Sequence, residues 1–267
     1  MLLRLDFFVH RGEVMRRVAQ LDDPQMLLLR RPRHDSHVFG PSDLHVDDDP
    51  HQGPYGDDGT TGLRVVLNAA KAHRADYVLL AGDIFDNNRQ SGAILEQCAA
   101  LLRDAGRPVI VLPGNHDPVT PDSVWRRDGL DRLAQLHIIG VTHALAVHFP
   151  EFDLEFWGHA HVDYSDMVPL RKPRARSSRW HVVLAHGHYE EDGAIPLRPS
   201  WLISDAQIDA TEADYIALGH WNRAARVGTG KVPAYYSGSP DLAKTVNLVR
   251  LRGNGSVEVS REAIAWD

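Results

Sequence analysis

The 267-residue sequence has almost no cysteine: Cys98 stands alone, in an apolar stretch of helical period. A single thiol excludes an intramolecular disulfide and a cysteine-based zinc site, and it fits a reducing, cytoplasmic compartment. No apolar run approaches the roughly 20 residues that span a bilayer. The start, MLLRLDFFVHRGEVMRR, carries acidic residues where a signal peptide needs an unbroken apolar core, so neither a membrane span nor a secretory leader is expected. Positive charge is in deficit as well, with 29 Lys plus Arg against 36 Asp plus Glu and a net charge of -7. That balance argues against a tight, extended grip on nucleic acid through phosphate neutralisation, although it allows a local site. No internal repeat is evident.

Histidine, by contrast, is abundant, with 16 residues, and imidazole is the commonest metal ligand. The length and the 43% hydrophobic content suffice for one catalytic-size domain. Residues 1–35 are charge-rich without clear strand-turn punctuation and read as an N-terminal extension; residues 36–267 read as the domain. Within it, Leu63, Val66, Leu67 and Ala70 fall at i, i+3, i+4 and i+7, one face of a helix, and DYVLLAGD follows as a run apolar enough to be buried on both faces. A second helix places Ile94, Leu95, Cys98, Leu101 and Leu102 on one side, ends at Gly106 and Pro108, and leads into VIVLPGNHD. This is βαβαβ and predicts a parallel sheet. Further on, Phe152, Leu154 and Phe156 alternate with charged residues as in an amphipathic strand, and HVVLAHGH, DYIALGH, PAYYSGSP, VNLVRLR and VEVS make the second half strand-rich.

Ligands of open α/β sheets collect beyond the carboxyl ends of the strands. At those ends stand Asp43 and His45, which at i, i+2 project to one side of an extended chain, then Asp83, then Asn115 and His116, then His186, then His220. Taken singly, each is more often a turn former or helix cap. Taken together, D-x-H, G-D-x-x-D, G-N-H-D, a strand-ending histidine and G-H in fixed order resemble the calcineurin-like metallophosphoesterases from about residue 36 onward. DYIALGH and YYSGSPD are most similar to the SbcD-type DNA-repair exonuclease branch.

The resemblance implies an α/β fold of two packed mixed β-sheets flanked by helices, an αββα sandwich. It also implies hydrolysis of phosphoesters, foremost phosphodiesters as in a nuclease or phosphodiesterase, by a metal-activated hydroxide at a binuclear site. Asp83 would bridge the two metals; Asp43, His45 and Asp83 would hold one, and Asp83, Asn115, His186 and His220 the other. Imidazole and oxygen donors without thiolate suit Mn, Fe or Zn, and the branch favours two Mn2+ ions. His116 would face the substrate and protonate the leaving oxygen, with Asp117 or another acceptor orienting its ring. Asp86 reads equally as a group behind the ligands or as a helix cap.

Two stretches compete for the family's final G-H-x-H. GHAH supplies His159 and His161, whereas ALGHWN supplies His220 with Asn222 in the second histidine's place. Order favours ALGHWN, because a strand-ending histidine must precede the motif and His186 is one strand-loop-strand unit upstream. His159 and His161 then fall on a rim loop, His188 is a spare ligand, and Asn222, a poorer donor than imidazole, leaves the first metal more weakly held. The basic stretch LRKPRARSSRW reads as a solvated loop or, failing that, a phosphate-backbone contact; VDDDP and GDDG read as solvated acid that could repel long polyanions; and Trp221 reads as partly buried or as a base-stacking ring.

SbcD-type nucleases carry further sequence for capping the site and docking an ATPase, so a bare catalytic domain without an SbcC-type partner is expected here. A small phosphodiester or nucleotide then rivals nucleic acid as substrate. The alternatives are a phosphomonoesterase or nucleotide hydrolase of the same fold, and a non-catalytic interaction module.

Overall fold

In the computed structural model, which describes residues 6–10, 13–17, 35–47, 59–191 and 200–265, the chain divides into two compact units, residues 1–34 and 35–267. The smaller unit contains an antiparallel pair, β1 (Asp6–His10) and β2 (Glu13–Arg17), with Phe8 opposite Met15. Neither segment alternates apolar and polar residues strictly, which is why the pair is not legible in the sequence.

In the larger unit the apolar runs become the middle of a sheet. Strands β3 (Ser36–Gly40), β4 (Tyr77–Ala81), β5 (Val109–Leu112) and β6 (Leu136–Ile138) are parallel. Helices α1 (Thr61–Ala72) and α2 (Gly92–Asp104) make the crossovers between β3 and β4 and between β4 and β5. The helix faces read from the sequence are the buried ones, except that Leu101 is only partly covered. In α2, Ser91 caps the first turn through its hydroxyl, which accepts from the Ile94 N–H.

A second six-stranded sheet contains β7 (Ala146–Phe149), β8 (Leu154–Trp157), β9 (Trp180–His186), β12 (Tyr215–Gly219), β13 (Ala225–Val227) and β14 (Ala234–Tyr236). The intervening β10 (His188–Tyr189) and β11 (Leu202–Ile203) form a short parallel pair, followed by α3 (Asp205–Ala210). The order is β13-β14-β12-β9-β8-β7, with β8, β9, β12 and β14 parallel and the outer strands antiparallel. After the short α4 (Pro240–Ala243), the chain returns to the first sheet, where β15 (Thr245–Leu251) pairs antiparallel with β3 and β16 (Val257–Ala263) with β15.

Because successive strand residues point to opposite faces, each central strand packs two ways. Leu79, Ile110 and Leu112 meet Phe156, Val182 and Leu184 between the sheets, while Val78, Leu80 and Val111 face α1 and α2. Val183, Ile216 and Leu218 cover the far side with Ile208 of α3. Burial on both faces accounts for the unbroken apolar runs.

The segment around residue 154 is not an amphipathic strand. Phe152 lies in the 3-10 turn Pro150–Phe152, and all four residues of β8 are buried, Glu155 included. Its carboxylate accepts from the Ser177 hydroxyl, the Ser177 and Ser178 N–H groups and Arg174, and it lies 2.7 Å from His181 Nδ1. The basic stretch is largely exposed, as expected of a solvated loop, but it is tied down: Arg176 bonds Asp214 and the Glu212 carbonyl, and Arg179 bonds the Gly253 carbonyl. The acidic stretch VDDDP–GDDG falls largely outside the described residues.

Candidate metal centre

The carboxyl ends of β3, β4, β5, β9 and β12 converge, delivering Asp43 and His45 after β3, Asp83 after β4, Asn115 and His116 after β5, His186 at the end of β9 and His220 after β12. Gly219 lies opposite His186 in the β12–β9 register, so the side chains at and just after these positions are neighbours. From the other sheet, residues 43–46 run beside residues 82–84, with N–H groups of Asp43, His45 and Val46 donating to the carbonyls of Gly82, Asp83 and Ile84. This segment is not extended. Asp43, His45, Asp83 and His220 all have positive φ, at 55°, 46°, 51° and 103°. Non-glycine residues adopt such backbones at a cost of order 1–3 kcal/mol each, and they concentrate at functional sites. Gly82, at φ 90°, is required here because a Cβ would overlap His186 Nδ1.

Among the described residues three three-residue groups have ligand atoms within 4.8 Å of one another: Asp43–His45–Asp83 and Asp83–His186–His220, which share Asp83, and the more exposed His45–Asp86–His116. His186 is wholly buried. Its Nδ1 lies 2.9 Å from the Ala81 carbonyl and donates to it, so Nε2 is left facing two acceptors, Asp83 Oδ2 at 3.1 Å and Asn115 Oδ1 at 3.0 Å. An imidazole nitrogen surrounded by oxygens needs a positive charge there, supplied by its own proton or by a cation. Burial alone would lower the His186 pKa, but Asp83, Asp43 and the Ala81 carbonyl outweigh it and raise the pKa to about 9. Burial would raise the Asp83 pKa, yet His186 and His116 hold it below the ordinary carboxylate range. Asp43, also buried, is pushed up by desolvation and by Asp83, and both its oxygens accept from the His220 N–H at 3.0 Å. Two buried carboxylates among imidazoles and an amide oxygen are a donor set that fits divalent transition metals.

His116 stands at the mouth of the cluster. Its Nδ1 lies 2.9 Å from the Asp86 carbonyl and 3.7 Å from Asp86 Oδ1, and its backbone N–H donates to Asp83. Asp86 Oδ1 is also 3.2 Å from His45 Nδ1, so Asp86 braces both rings. Asp117, expected to orient the His116 ring, does not. Its fully buried carboxylate accepts from the N–H groups of Gly114, Ile84 and Phe85, which ties the loops after β4 and β5 together.

Neither histidine of GHAH enters the ligand groups, and His161 is not on the rim. It is wholly buried behind His186, its Nε2 3.0 Å from the His186 carbonyl, and desolvation lowers its pKa to about 4. His188 Nδ1 accepts from Trp221 Nε1 at 3.0 Å, and Trp221 stacks on Tyr236 at 4.4 Å. Asn222 is exposed and lines a cavity of about 510 Å³ beside His220. Trp201, whose ring lies edge-on to both His161 and His220, carries no motif that could have singled it out.

A family model for calcineurin-like phosphoesterases matches residues 38–224, well over half of the chain. The chain belongs to the calcineurin-like phosphoesterase family. This phosphoesterase is 24% identical over 241 residues to the DNA double-strand break repair protein Mre11 of Archaeoglobus fulgidus, covering 79% of this chain and 52% of that protein. It is 25% identical over 226 residues to the SbcD subunit of the SbcCD nuclease of Bacillus subtilis and 26% identical over 238 residues to that of Escherichia coli, covering 67% and 72% of this chain. The chain thus spans little more than half the length of these relatives, 52% to 59%. Among solved structures, TT1561 of Thermus thermophilus shares the fold, with a TM-score of 0.55 at 12% identity over 85% of this chain and 99% of that one.

Proposed function

We propose that this phosphoesterase is a divalent-metal-dependent phosphodiesterase of nuclease type, with residues 36–267 as its catalytic domain. The observation that carries the reading is the pair of ligand groups joined at Asp83. Asp43, His45 and Asp83 would hold one ion, Asp83, Asn115, His186 and His220 the other, and Mn2+ suits the mixed oxygen and imidazole donors. Bound there, such ions supply a nucleophile at neutral pH and neutralise phosphoryl charge.

The chain's own groups do the rest. With His116 Nδ1 engaged by the Asp86 carbonyl, the other ring nitrogen, Nε2, is the one available to substrate, and it protonates the leaving oxygen. Asp86, between His45 and His116, keeps both rings in place. The printed names of the relatives, a repair protein and nuclease subunits, support nucleic acid or nucleotide phosphodiesters as the substrate class.

Hydrolysis of bis(4-nitrophenyl) phosphate with added Mn2+, compared between wild type and His116→Ala, tests the reading. Turnover that His116→Ala largely abolishes while metal stays bound supports it. No turnover in either protein, with metal bound in both, sinks it.

A further inference from the structure

The cavity beside the ligand cluster is lined by His188, His220, Trp221, Asn222, Arg223, Ala224 and Ala225. At about 510 Å³ it falls within the roughly 300–1,000 Å³ range of small-molecule sites. In a chain with an excess of acid, this lining contains no carboxylate among the described residues. Among the same residues Arg223 is its permanent cation, and it is exposed.

The wall that carries Arg223 is rigid. Trp221 is clamped by its stack on the buried Tyr236 and by the bond from its indole N–H to His188. Tyr236 is itself fixed, donating to the Gly187 carbonyl at 2.7 Å and accepting from the Tyr189 N–H at 2.9 Å. Residues 222–224 lie so close to Gly238, at φ 79°, that a Cβ there would come within 2.9 Å of the Asn222 carbonyl and 2.8 Å of the Ala224 N–H. This loop joins β12, which delivers His220, to β13, so Arg223 stands three residues from a metal-ligand position on a pinned segment.

We infer that Arg223 is a specificity-determining residue that receives a second phosphate of the substrate, next to the one that is cleaved, with Trp221 forming the adjoining wall for a nucleoside. The inference deepens the phosphodiesterase reading and rests on it: the substrate class is a short, single-stranded nucleotide phosphodiester that carries a further phosphate. The chemistry is a guanidinium fork meeting phosphate oxygens, which is shape-matched and stronger than a neutral hydrogen bond. A preorganised wall loses little entropy on binding.

The test uses two dinucleotides, thymidylyl-thymidine with and without a 5′ phosphate, on the full chain with Mn2+. In Arg223→Ala the ratio of kcat/KM for the phosphorylated over the unphosphorylated dinucleotide is expected to fall about tenfold, through KM, as loss of one charge-assisted contact predicts. Arg223→Lys, which keeps the charge but not the fork, recovers part of that ratio. An unchanged ratio overturns the inference. If neither dinucleotide is cleaved, the phosphodiesterase reading fails, and calorimetric binding of the same pair still decides the role of Arg223: a roughly tenfold loss of preference for the phosphorylated form in Arg223→Ala supports it, and equal preference in both proteins overturns it.

Discussion

At the scale of single residues, Asp83 is the point where two of the ligand groups meet. Asp83→Asn is therefore expected to lose both metal equivalents together, which metal content after gel filtration would measure; loss of one equivalent alone would contradict a shared carboxylate. If His116 is the proton donor, as proposed, and not a ligand, then in His116→Ala metal content should hold while kcat falls by roughly 10² to 10⁴. Asn222→His places an imidazole on the exposed loop beside His220. If the proposed site holds two ions, tighter binding of the one held by Asp43, His45 and Asp83 is expected in a titration, and identical isotherms for the two proteins would show that position 222 does not reach the site.

At the scale of elements, the edge where β8 meets the arginine-rich segment is a buried electrostatic joint. Burial would raise the Glu155 pKa, but the Ser177 hydroxyl, the Ser177 N–H and His181 outweigh it and hold the carboxylate at about 2, below the ordinary 4.5. A depressed carboxylate contributes stability that is complete above pH 4.5 and is lost as pH falls towards 2. The Tm of wild type should therefore fall as pH drops across that window, and Glu155→Gln should flatten this part of the profile. At neutral pH the same substitution leaves buried donors mismatched and should cost about 1–3 kcal/mol. A Glu155→Gln profile parallel to wild type would place the pH dependence elsewhere.

At the scale of the whole molecule, the candidate ligand groups exist only once folding brings the two sheets together. Chelation should lower Tm in wild type, by an amount that tracks free metal concentration, and hardly at all in Asp83→Asn. Net charge and loop structure also set the response to salt. With Arg174, Arg176 and Arg179 held by Glu155, Asp214 and backbone carbonyls, the basic segment offers few free cations to a polyanion. The dependence of log Kd for duplex DNA on log salt concentration should consequently be shallow, and a steep slope would reveal a phosphate-tracking surface elsewhere on the chain.

The sequence by itself determined the βαβαβ half, both helix faces, and the order in which Asp43, His45, Asp83, Asn115, His116, His186 and His220 reach the strand ends. Those features rest on local period and on glycine-flanked polar residues, which survive in one dimension. Only the tertiary structure decided what depends on contacts between distant segments. Strand β15 returns to pair with β3 although most of the chain lies between them, a partnership that no local pattern encodes. Glu155 reads as the outer face of an amphipathic strand until Arg174, Ser177 and His181 close over it. His161 matches the letters of a metal motif, yet it lies behind His186 because β8 and β9 are neighbours, and Asp117 follows His116 in sequence but faces the backbone of residues 84, 85 and 114. Periodicity reports which way a side chain faces within its own element; which partner meets it there is fixed by the packing of one sheet on the other.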